Sequence, residues 1–195
     1  MCGIIGLFLK DKKLNNKLGA MLSSMIITMS DRGPDSSGLA IYNKGEVNKV
    51  KLTLRSETPQ KDFKKLTNKI LKKHNLKILI TENFNHGVLL VFKKDLSIVK
   101  SIIYEFFPNI SLMSVGENIE IFKEIGLPKN TIEKFSINEM NGTHGIGHTR
   151  MATESAVTTL GAHPFSTGPD QCLVHNGSLS NHNQLRKKLI REGMN

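Results

Sequence analysis

The chain begins on an apolar run, Cys2-Gly-Ile-Ile-Gly-Leu-Phe-Leu9, one residue after the initiator methionine. Branched and aromatic residues in a run of this length predict a buried strand that starts at the terminus itself. The residue that opens it carries the chemistry. A small side chain after Met1 lets an aminopeptidase remove the methionine, which leaves an α-amine and a thiol on the same residue. Such an amine titrates at about 7.7 to 8.0 and a thiol at about 8.5. Near neutrality the amine has the basicity to take the thiol proton, directly or through a water, so nucleophile and base share one residue. Taken alone, Cys2 reads more simply as a small packed thiol in a strand.

Asn15 to Ser30 carries Leu18, Met21, Leu22, Met25, Ile26 and Met29 at helical spacing. It ends at Asp31-Arg32-Gly33-Pro34-Asp35, where Gly and Pro force a loop. Leu39 to Tyr42 predicts a second strand. Residues 47–115 have another texture. Val47 to Leu54 alternates as a strand, and Thr58-Pro59 opens a basic amphipathic helix to about Lys73. Leu76 to Thr81 and Val88 to Phe92 flank a polar turn. Asp95 opens a helix that stops before Pro108, and Ile110 to Val115 is a last strand. The order β-α-β-β-α-β is the split unit of ferredoxin-like domains. No chemical motif falls inside it, so we expect an inserted subdomain at 47–115, used for contact or spacing, between the two parts, 1–46 and 116–195, of one discontinuous domain. Thr143 to Thr149 predicts a glycine-interrupted strand and Gln171 to His175 another. Ser180 is placed to cap a helix bearing Leu185, Leu189 and Ile190 on one face.

The 195 residues, 38% hydrophobic, suit one domain with a sizeable insertion and are incompatible with wholesale disorder. No apolar stretch approaches the roughly 20 residues of a membrane span. A basic leader and a small-residue cleavage site are absent from the N-terminus. Two cysteines, Cys2 and Cys172, make no disulfide framework. A reducing, cytoplasmic setting without a membrane partner follows as the expectation. The net charge of +10 raises nucleic acid as a partner, yet lysine supplies most of it, and no Trp with two Tyr leaves few stacking platforms. Lysine and asparagine abundance resembles a compositional bias of the source, and a nucleic-acid partner is not expected.

Further chemistry clusters late in the chain. Arg150 closes His148-Thr149-Arg150 at the end of a predicted strand, where two parallel hydrogen bonds can hold a carboxylate in a way Lys cannot reproduce. An ion-paired surface arginine is the plain alternative. Asn176-Gly177 follows another strand, and an Asn amide with a neighbouring N–H can aim two donors at one oxyanion; the same dipeptide is a common hairpin turn. Arg32-Gly33-Pro34-Asp35 is a structural loop or the flap over a site. His144, His148, His163, His175 and Cys172 invite a metal reading. Gly145 and Gly147 argue for a strand, where side chains four apart share a face but stand too far apart for one ion. Neither metal nor cofactor is expected, and Cys172 reads as a packed thiol.

Met1-Cys2-Gly-Ile-Ile-Gly6, Arg32-Gly-Pro-Asp-Ser-Ser-Gly38, His148-Thr-Arg-Met-Ala-Thr153, His163-Pro164 and His175-Asn-Gly177 occur in this order. In these motifs, over roughly 1–43 and 142–195, the chain resembles the class II glutamine amidotransferases, which belong to the N-terminal-nucleophile hydrolases. The resemblance implies an α+β fold, a four-layer αββα sandwich of two antiparallel sheets between helices, here with the insertion. It implies Cys2, freed of Met1, as the nucleophile that attacks the side-chain amide of glutamine, with its own amine as base. Asn176 and Gly177 correspond to the oxyanion hole, Arg150 to the grip on the glutamine α-carboxylate with Thr153 beside it, and Arg32 to the loop that closes over the thiol. Glutamate and ammonia would be the products. No synthase domain is present, so the resemblance implies a partner synthase subunit in a hetero-oligomer. The insertion and the motif wording look closest to stand-alone subunits related to glutamate synthase, such as the amidotransferase-like subunit of N-methylglutamate synthase.

Two departures qualify the match. Family members bind the substrate amine with a later Asp-Ser/Thr-(Asp/Glu) segment, and none follows Gly177 here. The sandwich also needs strands after the last helix, so we expect a domain incomplete at its C-terminal end, by truncation or through completion by another polypeptide. Secondly, the insertion puts Arg32 and Arg150 farther apart in sequence than in compact members. A catalytically inactive regulatory or scaffold subunit with the same fold is the alternative.

Overall fold

The computed structural model describes residues 1–74, 76, 78–152, 156–177 and 180–193. Four strands form the first sheet: β1 (Gly3–Phe8), β2 (Ser36–Tyr42), β7 (Ile119–Ile125) and β8 (His144–Arg150). Their order is β1-β8-β2-β7, with every neighbour antiparallel. The register sets Gly3 opposite Thr149, and Ser36 opposite both Arg150 and Ile125. The residue after Met1, Arg150 and the end of β7 therefore share one end of the sheet.

The helical pattern of Asn15 to Ser30 is realised as a 3-10 turn over Lys12–Lys17 followed by α1 (Leu18–Ile27). Asp11 starts the turn by accepting the Lys13 N–H at 2.9 Å. Leu18, Leu22 and Ile26, one helical turn apart, are fully buried. They meet Ile5, Leu39, Ile41 and Phe122 of the sheet in one core. That core is shared by α4 (Pro128–Phe135) through Ile132 and Phe135. Pro128 stands in the first turn of α4, where its missing N–H has no intrahelical partner to lose, and Ser136 ends the helix in the left-handed conformation at φ 51°. Neither β7 nor α4 is assigned by the sequence reading, which leaves 116–141 without elements.

The second sheet comes from β3 (Lys49–Arg55), β4 (Leu79–Asn83), β5 (His86–Phe92) and β6 (Ser111–Gly116), with α2 (Pro59–His74) and α3 (Leu96–Phe106) between them. Its order is β4-β5-β3-β6, again antiparallel throughout. One face packs Leu52, Leu54 and Leu89 against Phe63, Leu66 and Ile70 of α2 and Val99, Ile102 and Ile103 of α3. The other face is polar where it meets the first sheet. The Ser114 and Thr53 hydroxyls pair at 2.9 Å, and Lys51 bonds Asn43 and forms an ion pair with Glu120 at 3.0 Å. Met113 joins Ala40, Ile119 and Ile121 in a small apolar cluster across this junction.

A two-stranded ribbon, β9 (Phe165–Gly168) and β10 (Gln171–Leu173), lies beside β6. Its turn residue Asp170 accepts the N–H groups of Glu117, Asn118 and Ile119 at 2.7–3.0 Å and so caps the β6–β7 turn. The strand expected to reach His175 ends at Leu173. Helix α5 (His182–Arg191) starts from Asn181 without a side-chain cap, not from Ser180, and Leu185 and Ile190 are exposed. The fold is α+β. On the first-sheet face away from α1 and α4, the β1 side chains Ile4 and Phe8 are 42% and 68% exposed. No helix among the described residues is long and apolar enough to cross a membrane.

Candidate active site

Strand β1 is held at its first residue. The Thr149 hydroxyl accepts the Gly3 N–H at 3.1 Å and donates to the Met29 carbonyl at 3.1 Å. A Cβ at position 3 would stand 2.8 Å from both Met29 Cβ and Thr149 Oγ1, so only glycine admits this approach. Cys2 consequently emerges at the sheet end, half-buried, with its Sγ 3.9 Å from the Met151 carbonyl oxygen. Met1, still attached, is 75% exposed, and its α-amine lies 3.2 Å from Met151 Sδ.

Two loops close on this terminus. Gly33 sits so tightly on β8 that a Cβ there would come within 2.5 Å of the Thr149 backbone. Pro34 bridges Arg150, the Asp35 N–H donates to the Arg150 carbonyl at 3.1 Å, and the Asp35 carboxylate accepts the Ala152 N–H at 2.7 Å. Arg32 Nε then stands 3.5 Å from the Cys2 carbonyl. From the other side Asn176 Nδ2 donates to the same carbonyl at 3.1 Å. The turn carrying Asn176 is anchored one residue earlier. His148 Nε2 lies 3.0 Å from the His175 carbonyl, and since a carbonyl only accepts, Nε2 carries the hydrogen. Burial pushes the His148 imidazole below its ordinary value and, with nearby cations, pushes His163 down to about 4. The two imidazole rings lie 4.3 Å apart, tilted by 32° to one another.

A strap from residue 156 to 165 runs across the sheet end between Arg150 and β7. Arg150 Nη1 reaches the Ala156 carbonyl at 3.4 Å. Farther along, the buried Lys123 ammonium donates to the carbonyls of Ala162 at 2.7 Å and of Leu160 and Pro164 at 3.3 Å. Burial, then the Arg55 charge, push Lys123 down to about 8. Glu124 grips the strap through the Thr159 hydroxyl at 2.8 Å.

The described parts of the motif segments that sequence reading singled out therefore meet at one sheet end. No family model matches the chain. The glutamine amidotransferase-like protein GlxB of Rhizobium meliloti is 53% identical over the whole chain, which spans 64% of that protein. A protein of Methanothermobacter thermautotrophicus named putative glutamine amidotransferase is 31% identical over 99% of the chain and 66% of its own length. The glutamine–fructose-6-phosphate aminotransferase of Methanococcus maripaludis is 30% identical over 49% of the chain, a stretch covering 16% of that enzyme. The chain belongs to the class II glutamine amidotransferases. It spans about two thirds of the length of the first two relatives.

Within this amidotransferase chain Cys2, Arg32, Arg150 and Asn176 come together as described, and Gly177 follows Asn176 in the same turn. Thr153 lies outside the described residues. The histidines read as metal candidates have other occupations: His144 stacks on Tyr42 at 4.1 Å, and His148 holds the His175 carbonyl. Among the described residues no three His, Cys, Asp or Glu converge as a metal site. Sequence reasoning missed Thr149 as the clamp on β1, Asp35 as the tie between the loops, and Lys123 and Glu124 as anchors of the strap. The charge of the last two hid them inside a buried strand.

Glu124 gives a pH test. Burial alone would raise its carboxyl, but donors from Lys134, Thr159, Asn85 and the Ile125 N–H outweigh this and hold it down at about 2, against 4.5 unperturbed. A depressed carboxyl stabilises the fold above its unfolded value and loses that contribution as pH falls through the folded one. Urea unfolding followed from pH 5 to 2 should show the wild type losing stability across about 4.5 to 2 and Glu124→Gln losing distinctly less. Parallel curves would mean Glu124 does not anchor the strap.

Proposed function

We propose that the chain is a glutaminase subunit which hydrolyses the side-chain amide of glutamine at Cys2 and hands ammonia to a partner synthase. The observation that carries this reading is the convergence on Cys2 of Arg32 Nε at 3.5 Å and Asn176 Nδ2 at 3.1 Å from its carbonyl, in a family of glutamine amidotransferases. Removal of the exposed Met1 frees the Cys2 amine, which takes the thiol proton. The sulfur attacks the glutamine amide carbon, and the resulting oxyanion accepts hydrogen bonds from Asn176 Nδ2 and the Gly177 N–H. The ammonium of Cys2 then protonates the departing nitrogen. Ammonia leaves and a γ-glutamyl thioester remains. Water adds to the thioester with the Cys2 amine as base, the carbon–sulfur bond breaks, and glutamate departs with the thiol restored. Arg150 holds the α-carboxylate of glutamine with a planar fork, Thr153 is assigned a share in binding the substrate, and Arg32 closes the site from its loop.

The remaining architecture belongs to the same reading. Residues 1–46 and 116–195 form one discontinuous amidotransferase domain of the N-terminal-nucleophile type, and 47–115 is a ferredoxin-like insertion with its own core around Phe63 and Leu66. The open row of Ile4 and Phe8 is where further strands of the four-layer sandwich pack. Of the family branches, we assign the chain to the glutamate-synthase-related subunits of hetero-oligomers; the relatives that match it along its whole length align across the insertion as well. Two free cysteines agree with a cytoplasmic setting.

Two substitutions test the assignment. Cys2→Ala should abolish glutamate release from glutamine, measured on protein purified with its partner; turnover equal to wild type would refute the nucleophile. Arg150→Lys should raise KM for glutamine by about tenfold or more with kcat less affected, because the two-point hold is lost. An unchanged KM would place the α-carboxylate elsewhere.

A further inference from the structure

The charge of the chain is not evenly spread. Residues 47–115 hold thirteen Lys and Arg against five Asp and Glu, whereas the rest of the chain holds fourteen against twelve. A uniform lysine bias of the source would not concentrate nearly all of the excess in about a third of the chain.

Two groups of lysines in this segment differ in their partners. Those facing the rest of the chain are matched: Lys49 pairs with Glu46, Lys51 with Glu120 and Lys93 with Glu117. Those on the outer face of α2 are not. Lys61, Lys64, Lys65, Lys72 and Lys73 are exposed, follow one another at helical spacing, and none forms an ion pair among the described residues. The one acid of α2, Asp62, is buried and bonded to the Ser56 and Thr58 hydroxyls. Positive side chains three and four apart repel one another. The helix dipole accounts for Lys72 and Lys73 at the C-terminal end but disfavours Lys61, Lys64 and Lys65 in the first two turns. Helix stability therefore does not explain the stripe.

We infer that the outer face of α2 is a docking surface for an acidic face of a partner polypeptide. Protein is favoured over nucleic acid because the aromatic rings of the neighbouring α3 already face lysines: Lys69 Nζ lies 3.4 Å and Lys73 Nζ 5.2 Å from the Phe106 ring centre, and Lys100 Nζ 6.0 Å from that of Tyr104. The sheet face opposite the helices, which could offer a flat platform, is packed against the first sheet through Met113 and the Lys51–Glu120 ion pair. Lysine also suits a diffuse acidic face, since it acts as a point charge without the fixed fork of arginine. Taking that partner to be the ammonia-consuming subunit rests on the preceding proposal; the surface itself does not.

The test compares the full chain with a variant carrying K61Q, K64Q, K65Q, K72Q and K73Q, glutamine being as good a helix former as lysine. Binding of a labelled oligo-glutamate peptide is measured at about 0.15 M salt, with a DNA duplex of equal charge in parallel and hydrogen exchange to locate the contact. The expected result is a peptide footprint on α2 and affinity weakened about tenfold or more in the variant. Loss of hydrolysis in Cys2→Ala with binding intact separates this surface from the catalytic proposal. No peptide binding by the wild type, equal binding by the variant, or tighter binding of the duplex to the same lysines would each overturn the inference.

Discussion

The Thr149 hydroxyl, buried between the Gly3 N–H and the Met29 carbonyl, is the contact on which the arrangement at the sheet end depends. It fixes where β1 begins, and the antiparallel register with β8 does the rest, so that the residue before Gly3 is delivered beside Arg150 and Met151. A shift of one residue would turn every β1 side chain to the opposite face, burying Ile4 and exposing Ile5. Because Thr149 sits between His148 and Arg150, one short segment sets the register of β1, anchors the turn before Asn176 and presents the arginine.

The strap across the sheet end is held by charge rather than by apolar packing. Lys123 donates to three backbone carbonyls and has no carboxylate partner in these contacts, and the cost of burying an ammonium appears in its lowered proton affinity. Glu124, next along β7 and so on the opposite face, reaches Thr159 of the same strap and is balanced by Lys134 at 2.6 Å. Such a segment is tied at defined points, Arg150 at one end and Lys123 with Glu124 at the other. This is how a loop can be held in place without forming a core of its own.

Much of this was legible in the sequence, for identifiable reasons. Leu18, Leu22 and Ile26 announced α1 because they line a single buried stripe, and the alternation of 47–54 announced β3 because one of its faces is apolar. The motif residues could be gathered by resemblance before any geometry was known. What stayed hidden followed from burial of charge. In Ile119-Glu-Ile-Phe-Lys-Glu-Ile125, Lys123 and Glu124 interrupt the apolar pattern, so β7 does not read as an interior strand, although both residues are satisfied once the strap lies over them. Helix α4 was missed with it, although Pro128 marks its first turn. The sequence-based cap at Ser180 failed because Asn181 takes the position without making a capping bond.

The proposed chemistry depends on the first residue, since the Cys2 nitrogen is a basic amine only once the bond to Met1 has been cut. Intact mass and Edman sequencing of enzyme that is turning over glutamine should find the methionine gone and cysteine in the first cycle. Active enzyme that still yields methionine first would contradict it.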